Sequence, residues 1–155
     1  YIWFRFKDIR FATSAILALV HDVLVVLTAY ALIRISVGGT FIACMLTIVG
    51  YSVNDTIVIF DRIRENMHGL KNQNAEGLAE IANKSLTQTL SRSINTSITT
   101  FIMVLLLFIM GVSSIREFAL PLMVGLLCGA YSSIFIATEL WYVMKLHFGK
   151  NRIKK

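Results

Sequence analysis

The sequence predicts an all-α membrane protein with four transmembrane helices and a cytoplasmic amphipathic segment. Its 155 residues are 56% hydrophobic and only 15% charged, with a mean hydropathy of +0.70, whereas a soluble domain is about 25% charged. The apolar residues form four continuous runs, each close to the roughly 20 residues that a helix needs to cross a bilayer. The single proline and the confinement of charges to short segments argue against a disordered or multi-domain soluble chain.

The four predicted spans are residues 11–35, 40–60, 89–110 and 118–146. A tight turn is expected at 36–39, and Pro121 is expected in the first turn of the last helix, where its missing N–H does no harm. The start of the chain is typical of the exit from an earlier membrane helix, and without an initiating Met the chain is expected to be a fragment. The predicted organisation is a helix end and cytoplasmic turn (1–10), a transmembrane pair (11–60), a cytoplasmic amphipathic segment (61–88), a second transmembrane pair (89–146) and a basic cytoplasmic tail (147–155).

Lysine and arginine are distributed unevenly about these spans. Twelve of the 15 lie near the two ends of the chain or between the second and third spans, whereas Arg34 and Arg116 lie in the opposite turns and Arg92 lies within a span. The positive-inside rule therefore predicts that both ends and residues 61–88 are cytoplasmic. The net charge of +6 is then explained by the anionic cytoplasmic leaflet, and no nucleic-acid partner is expected.

Residues 61–88 have a helical pattern of their own, because apolar side chains recur at helical spacing among polar ones. These side chains are Ile63, Met67, Leu70, Leu78, Ile81, Ala82 and Leu86. The pattern predicts one or two amphipathic helices along the membrane surface, broken near Gly69 or Gly77. A solvated linker that only connects two spans is the alternative.

Ionisable side chains within or near the spans are candidate functional residues, because such groups are costly in lipid unless they are paired or hydrated. They are His21, Asp22, Asp55, Arg92 and Glu139. His21 and Asp22 fall near mid-membrane and form a second candidate polar site beside the one at Asp55. Glu139 falls close to the cytoplasmic end of the last span and is interpreted as a snorkelling or capping carboxylate.

Asp55 is the leading candidate for a proton-carrying residue. It lies five residues, a rise of roughly 8 Å, before the cytoplasmic end of its span. Thr47 and Tyr51 precede it at four-residue intervals on one helix face, and Asn54 adjoins it, so the carboxylate has hydrogen-bonding neighbours. Such a group can load or release a proton when its burial or a nearby cation changes. The alternative is an ionised aspartate that only holds two helices together.

The third span supplies a candidate cation for Asp55. Its early part carries a polar stripe that consists of Arg92, Asn95, Thr96 and Thr99. Arg92 lies about three residues into its span, so antiparallel packing is expected to place it within a helical turn or two of Asp55. Ser93 and Ser97 are interpreted as helix–helix packing residues.

Other patterns argue against an enzyme or a metal site. The sequence has no phosphate-binding glycine loop, no nucleophile with a base at useful spacing and no His/Cys/Asp cluster with metal-ligand spacing. Cys44 and Cys128 lie inside apolar runs and are interpreted as small buried hydrophobes without metal-ligand neighbours. The small residues Gly125, Gly129 and Ser133 are interpreted as a packing stripe that lets another helix approach closely.

Residues 50–66, GYSVNDTIVIFDRIREN, closely resemble the fourth transmembrane helix of the SecF family of bacterial protein-export membrane subunits. The strings LVHDV at 19–23 and TQTLSRSINTS at 87–97 resemble their SecF counterparts in the same order. The resemblance covers essentially the whole chain. It implies helices three to six of a six-helix subunit, which is part of a bundle of the resistance-nodulation-division type.

The resemblance also implies a function and a set of partners. Family members pair with SecD, sit beside the SecYEG channel with YajC as a further partner, and use the proton-motive force to help draw secreted polypeptides across the bacterial cytoplasmic membrane. Asp55 matches the family's proton-path aspartate and Arg92 resembles its arginine on the fifth helix. No cofactor is expected besides the coupling ion, a proton or alternatively sodium, and membrane lipid is the surrounding partner.

Two alternatives remain open at this point. One is a proton-coupled efflux or lipid transporter of the same superfamily, although Asn54 stands before Asp55 where those relatives often carry two adjacent aspartates, which favours SecF. The other is a purely structural membrane subunit whose charged residues are packing pairs. The sequence does not distinguish a separate SecF chain from one fused to SecD.

Overall fold

A computed structural model describes residues 8–34, 37–68 and 75–149 of the protein. The chain forms α1 (Ile9–Ile33), α2 (Gly39–Met67), α3 (Ala75–Met110), α4 (Ser113–Tyr131), a π-helical segment (Ser132–Ala137) and α5 (Thr138–Gly149). The last three elements form one continuous span, so four helices are long and apolar enough to cross a membrane. No strand occurs within the described ranges. The predicted all-α fold with four spans is confirmed, and the protein is a multi-pass membrane protein.

The helix termini follow from local sequence. Asp8 caps the start of α1, because its carboxylate accepts a hydrogen bond from the backbone N–H of Arg10 at 3.1 Å. The same helix ends at Arg34, whose left-handed backbone (φ 56°) is typical of a helix C-cap. The predicted helix exit at 1–7, part of the turn at 36–39 and the tail beyond residue 149 lie outside the described residues.

The last span is the central element of the bundle. It packs against α1, α2 and α3, and α2 packs in turn against both α1 and α3. Helices α1 and α3 therefore flank the pair formed by α2 and the last span. Helices α1 and α3 begin, and α2 and α5 end, at the same end of the bundle. Among the described residues this end holds most of the lysine and arginine, including Arg10, Arg62 and Lys145, and it is called the basic end below.

Two apolar clusters form the core, one toward each end of the bundle. The basic-end cluster is organised by Phe11, whose ring stacks on Trp141 at a centroid distance of 5.3 Å and meets Phe60 edge-on at 4.9 Å. The far-end cluster contains Val26, Tyr30, Cys44, Ile48, Val104, Ala119, Leu122 and Leu126. A layer of buried polar residues lies between the two clusters.

The first residues of α3 belong to the bundle core. Leu78, Ile81 and Ala82 are buried in the basic-end cluster, and α3 continues without interruption from Ala75 to Met110. Of the two glycines expected to break the helix, Gly77 therefore lies inside α3, and Gly69 lies outside the described residues. The helix continues because its first turns bury apolar surface against α2 and α5.

The expected position of Pro121 in the first turn of the last helix is wrong. Helix α4 begins at Ser113, and the carbonyl of Val112 accepts hydrogen bonds from the N–H groups of Ile115 at 2.9 Å and Arg116 at 3.1 Å. Pro121 is thus interior to the helix and buried. The sequence placed the helix start too late because hydropathy detects where the membrane begins, whereas backbone hydrogen bonds determine where the helix begins.

A close approach between α2 and α4 depends on Gly125. A β carbon added to Gly125 would lie 2.6 Å from Cγ1 of Ile48, whereas one added to Gly50 would have no atom within 4 Å. We expect Gly125→Ala to lower the free energy of unfolding by about 1–3 kcal/mol, because Ile48 must move inside a packed cluster. Gly50→Ala is the matched control and should leave the free energy of unfolding unchanged or slightly raised. Unfolding in mixed detergent micelles measures both, and equal stabilities would contradict the close approach.

Candidate functional site

Seven buried polar residues form a layer between the two apolar clusters. The polar layer consists of Asp22, Ser52, Asp55, Thr56, Ser93, Ser132 and Ser133. Its members come from all four spans, and each span continues into apolar core on both sides of the layer. Buried polar groups in a membrane are stable only when they bond to one another, so the layer is the candidate functional site.

Asp22 of α1 is the more completely hydrogen-bonded of the two carboxylates in the layer. It is 1% exposed. Its Oδ2 accepts hydrogen bonds from the hydroxyls of Ser52 at 2.6 Å and Ser132 at 2.8 Å. Its Oδ1 lies 3.3 Å from Nδ1 of His21 and 3.4 Å from Sγ of Cys128. Asp22 therefore joins α1 to both α2 and the last span.

Asp55 of α2 is only half satisfied. It is 8% exposed, and its Oδ1 accepts a hydrogen bond from the Ser93 hydroxyl of α3 at 2.8 Å. Its Oδ2 is buried and has no hydrogen-bond partner within the part of the chain that the structure describes. An unpaired buried acceptor is costly. Among the described residues, the Asp55 carboxyl group thus has one oxygen that can still accept a hydrogen bond.

Arg92 lies close to Asp55 without pairing directly with it. The two side chains are within electrostatic range, but the described side chains form no Asp55–Arg92 ion pair within 4.0 Å. Arg92 instead lines a polar cleft of about 380 Å³ between α2 and α3, together with Val58, Asp61, Arg62, Glu65, Gln88 and Thr89. Val58 follows Asp55 by three residues, about 4.5 Å along the helix axis. The cleft therefore approaches Asp55 from the basic end.

The side walls of this cleft are held by polar contacts between α2 and α3. The guanidinium of Arg62 donates to Gln88 at 2.8 Å and to Glu65 at 2.6 Å. The amide of Asn66 donates to Gln88 at 3.0 Å and to the Ser85 hydroxyl at 2.8 Å. These contacts join the two helices near the basic end and leave the cleft lined by charged groups.

The residues expected to support Asp55 from α2 do not gather around it. Thr47 and Asn54 are exposed, and the Thr47 hydroxyl donates to the carbonyl of Ala43 in its own helix at 2.8 Å. The Tyr51 hydroxyl instead pairs with Ser97 of α3 at 2.8 Å. Of this predicted face, Tyr51 alone therefore makes a side-chain hydrogen bond to another helix, and that bond is one turn away from Asp55.

Of the polar stripe predicted on α3, Arg92 lies close to Asp55, whereas the other three residues do not contact it. Asn95, Thr96 and Thr99 are exposed, and the two threonine hydroxyls bond to carbonyls of their own helix at 2.8 and 2.9 Å. The side of α3 that meets α2 carries Ser93 and Ser97. Successive helix positions are separated by about 100°, so Arg92 and Ser93 lie on neighbouring faces of α3. The face that carries Ser93 packs against α2, and the face that carries Arg92 is exposed.

Sequence reasoning missed several members of the polar layer. Ser52 and Thr56 lie on the buried face of α2, three residues before and one after Asp55, and this spacing could have identified them. Ser132 and Ser133 had no comparable signal. Both are buried in the π-helical segment, where Ser132 donates to Asp22 and Ser133 pairs with Thr56 at 3.0 Å.

The expectation that neither cysteine has metal-ligand neighbours is wrong for Cys128. Its Sγ lies beside Asp22 and 3.9 Å from Nδ1 of His21, although these residues are more than 100 positions apart in sequence. Packing of α1 against α4 creates this cluster, which no local spacing could indicate. Cys44 is buried in the far-end cluster, in agreement with its interpretation as a small hydrophobe.

A four-span helical bundle with two carboxylates buried between apolar clusters defines a multi-pass membrane protein with ionisable groups in its interior. The chain belongs to the SecD/SecF family, because residues 1–147 match the family model described as protein export membrane protein SecD/SecF, C-terminal. The resemblance inferred from the sequence is confirmed.

Named relatives and solved structures agree with this assignment. The chain is 53% identical over 141 residues to protein translocase subunit SecF of Alicyclobacillus acidocaldarius, covering 91% of the chain and 46% of the relative. It is 47% identical over 145 residues to protein translocase subunit SecDF of Bacillus subtilis, covering 94% of the chain and 20% of the relative. The chain therefore spans about half of the SecF relative and a fifth of the SecDF relative.

Crystal structures of SecDF have the same helix arrangement. SecDF from Thermus thermophilus, a translocon-associated membrane protein, superposes with a TM-score of 0.86 at 45% identity, covering 94% of this chain and 20% of that one. A structure of SecDF in a super-membrane-facing form gives a TM-score of 0.88 at 41% identity, covering 99% and 20%. These matches establish the fold of the bundle as that of a SecDF membrane segment.

Proposed function

We propose that this chain is the C-terminal membrane bundle of a SecF-type subunit that, with a SecD-type partner, assists the movement of secreted polypeptides across the bacterial cytoplasmic membrane. The driving force is the proton-motive force, and the channel served is SecYEG, with YajC as a further partner. The chain itself catalyses no covalent chemistry. Family membership and the names of the relatives support the export function.

The observation that carries the proton-coupling proposal is the half-satisfied carboxyl group of Asp55. Ser93 holds one oxygen and leaves the other buried without a partner among the described residues. A proton bound to the free oxygen neutralises the carboxylate and weakens its attraction to the nearby guanidinium of Arg92. Loss of the proton restores that attraction. Because the two states differ in their contacts between α2 and α3, the proton can shift the equilibrium between two helix arrangements.

Asp22 is less suited to this task. Two serine hydroxyls already donate to one of its oxygens, and its other oxygen lies beside His21 and Cys128. We therefore assign proton transfer to Asp55 and a structural, helix-joining role to Asp22. The two intramembrane carboxylates then have different functions because their hydrogen-bond donors differ in number.

The polar cleft provides a route for protons between Asp55 and one side of the membrane. It opens near the basic end and is lined by the charged side chains Asp61, Arg62, Glu65 and Arg92. Water that enters such a cleft can exchange protons with a group one helical turn away. By the positive-inside rule this side is the cytoplasm, where protons are released as they flow inward.

The exposed polar residues at membrane depth support a SecD-type partner. Asn54, Arg92, Asn95 and Thr99 are all exposed in the isolated bundle, and hydrocarbon cannot satisfy amide or guanidinium groups. A second bundle with polar side chains on its facing surface would cover them and complete the site. The names of the SecDF relatives indicate that a SecD part and a SecF part lie in one chain. For this protein, the SecD-type partner is either fused to the same chain or a separate subunit.

The proposal is tested by ion-dependent translocation in inverted membrane vesicles. Vesicles that contain the full-length protein and its SecD partner are expected to complete translocation of a secretory precursor faster when a proton gradient is imposed. An uncoupler should remove this stimulation, and vesicles without the protein should not show it. Stimulation by a sodium gradient alone would identify sodium as the coupling ion, and equal stimulation with and without the protein would refute the proposed function.

A further inference from the structure

Three potential metal ligands meet between α1 and α4, on the side of the bundle away from α3. Nδ1 of His21 and Oδ1 of Asp22 are 3.3 Å apart, Sγ of Cys128 is 3.4 Å from the same oxygen, and Sγ is 3.9 Å from the imidazole nitrogen. The three donor atoms are of three chemical kinds, and all lie within 4.8 Å of one another. The proton-coupling function proposed for Asp55 does not use this cluster.

The separations match those of ligands around one small cation. Zinc binds imidazole nitrogen and carboxylate oxygen at about 2.0–2.2 Å and thiolate sulfur at about 2.3 Å, in tetrahedral geometry. Tetrahedral ligands at these bond lengths are separated by about 3.3–3.6 Å. The nitrogen–oxygen and sulfur–oxygen distances in the cluster fall close to this range, and the sulfur–nitrogen distance is a few tenths of an ångström longer. Small side-chain rotations of His21 and Cys128 would shorten the sulfur–nitrogen distance.

We propose that His21, Asp22 and Cys128 form a binding site for one thiophilic divalent cation of the zinc class, which links α1 to α4. The ligand types select the ion, because imidazole and thiolate favour zinc-like metals whereas magnesium and calcium prefer oxygen ligands. Binding forms bonds from the metal to nitrogen, oxygen and sulfur. It also displaces the thiol proton to solvent, and no electrons are transferred.

The net charge of the loaded site suits its membrane location. A carboxylate and a thiolate together carry two negative charges, so a divalent cation bound by both gives a neutral cluster. Burial of a neutral cluster avoids the large cost of leaving net charge in hydrocarbon.

The surroundings of Asp22 orient it for binding. Ser52 and Ser132 donate to Oδ2, which leaves Oδ1 as the oxygen nearest to both His21 and Cys128. Hydrogen bonds of this kind fix a ligand's orientation and typically contribute 10- to 100-fold to metal affinity. The His21 side chain is 40% exposed, so the site lies at the surface of the bundle.

Metal titration of the full-length protein in detergent tests the proposal. The probes are Zn²⁺, measured by equilibrium dialysis, and Co²⁺, whose thiolate charge-transfer absorption reports a metal–sulfur bond. We expect one equivalent to bind, and Cys128→Ser to weaken binding by at least tenfold and to remove the charge-transfer absorption. Cys44→Ser is the matched control, because Cys44 lies in the far-end cluster, and it should leave affinity and spectrum unchanged.

Two further variants keep the test decisive if Cys128→Ser does not fold. His21→Gln replaces a partly exposed ligand and should weaken binding by at least tenfold, whereas Ser132→Ala removes a donor to Asp22 and should weaken it by roughly 10- to 100-fold. The proposal is overturned if binding at one equivalent is absent, if His21→Gln binds as tightly as the unmodified protein, or if Cys44→Ser and Cys128→Ser weaken binding equally. The last result would indicate adventitious thiol binding.

Discussion

Replacement of Asp55 by asparagine is expected to abolish proton-stimulated translocation and to leave the translocation rate without a proton gradient unchanged. Asparagine has nearly the same volume, and its amide oxygen can still accept the hydrogen bond that Ser93 donates at 2.8 Å. It cannot bind and release a proton at the second position. The stimulation by a proton gradient in inverted vesicles should therefore fall to the value measured without the protein.

Glu139→Gln is the matched control for this change. It also converts a carboxylate to an amide in a membrane-spanning helix, but Glu139 is exposed near the basic end of the last span and lies outside the polar layer. We expect its proton-stimulated rate to equal that of the unmodified protein. If Asp55→Asn supports full stimulation at a normal protein level, Asp55 is a packing residue and the proton route lies elsewhere.

Asp22→Ala is expected to lower the free energy of unfolding of the metal-free protein by about 2–4 kcal/mol. The substitution removes the acceptor shared by Ser52 and Ser132 and leaves their hydroxyls in a dry core, where an unsatisfied group costs about 1–3 kcal/mol. Ser132 can partly recover by bonding to the carbonyl of Gly129, which is already 3.3 Å away. Unfolding in mixed micelles, with a chelator present, measures the change.

Two controls test whether the stability loss expected for Asp22→Ala comes from its hydrogen bonds. Thr28→Ala in the same helix removes an exposed hydroxyl that bonds to the carbonyl of Leu24 within its own helix, and a change within about 0.5 kcal/mol is expected. In a double-mutant cycle, Asp22→Ala and Ser52→Ala should be less than additive, because each removes the same hydrogen bond. Additive losses, or no loss from Asp22→Ala, would contradict the helix-joining role of Asp22.

The helices were more predictable than their ends. Span number and helical class follow from the length and composition of apolar runs, which are properties of neighbouring residues. The second span was predicted to end at residue 60 and the third to begin at residue 89, whereas α2 continues to Met67 and α3 already begins at Ala75. Hydropathy indicates where lipid contact stops. Beyond that point the helices continue because residues such as Ile63 and Leu78 are buried against each other's helices in the basic-end cluster.

The sequence predicted some residues of the candidate site and missed others, and the missed residues share one cause. Asp55 and Arg92 were identifiable because ionisable residues are rare in spans and because their strings resemble SecF. Thr47 was chosen as a neighbour and Ser52 was not, although both share helical spacing with nearby polar residues. Periodicity lists the residues on each face of a helix, but it does not indicate which face meets a neighbour.

The sequence by itself determined that this protein crosses the membrane four times, that both candidate carboxylates lie within spans and that the chain resembles the SecF family. Only the tertiary structure decided that Asp22 is bonded by two serines, that one Asp55 oxygen has no partner among the described residues and that Cys128 adjoins His21. The reason is physical. Side-chain partners in a bundle depend on the rotation of each helix about its axis, which depends on packing between residues far apart in sequence, such as Gly125 against Ile48.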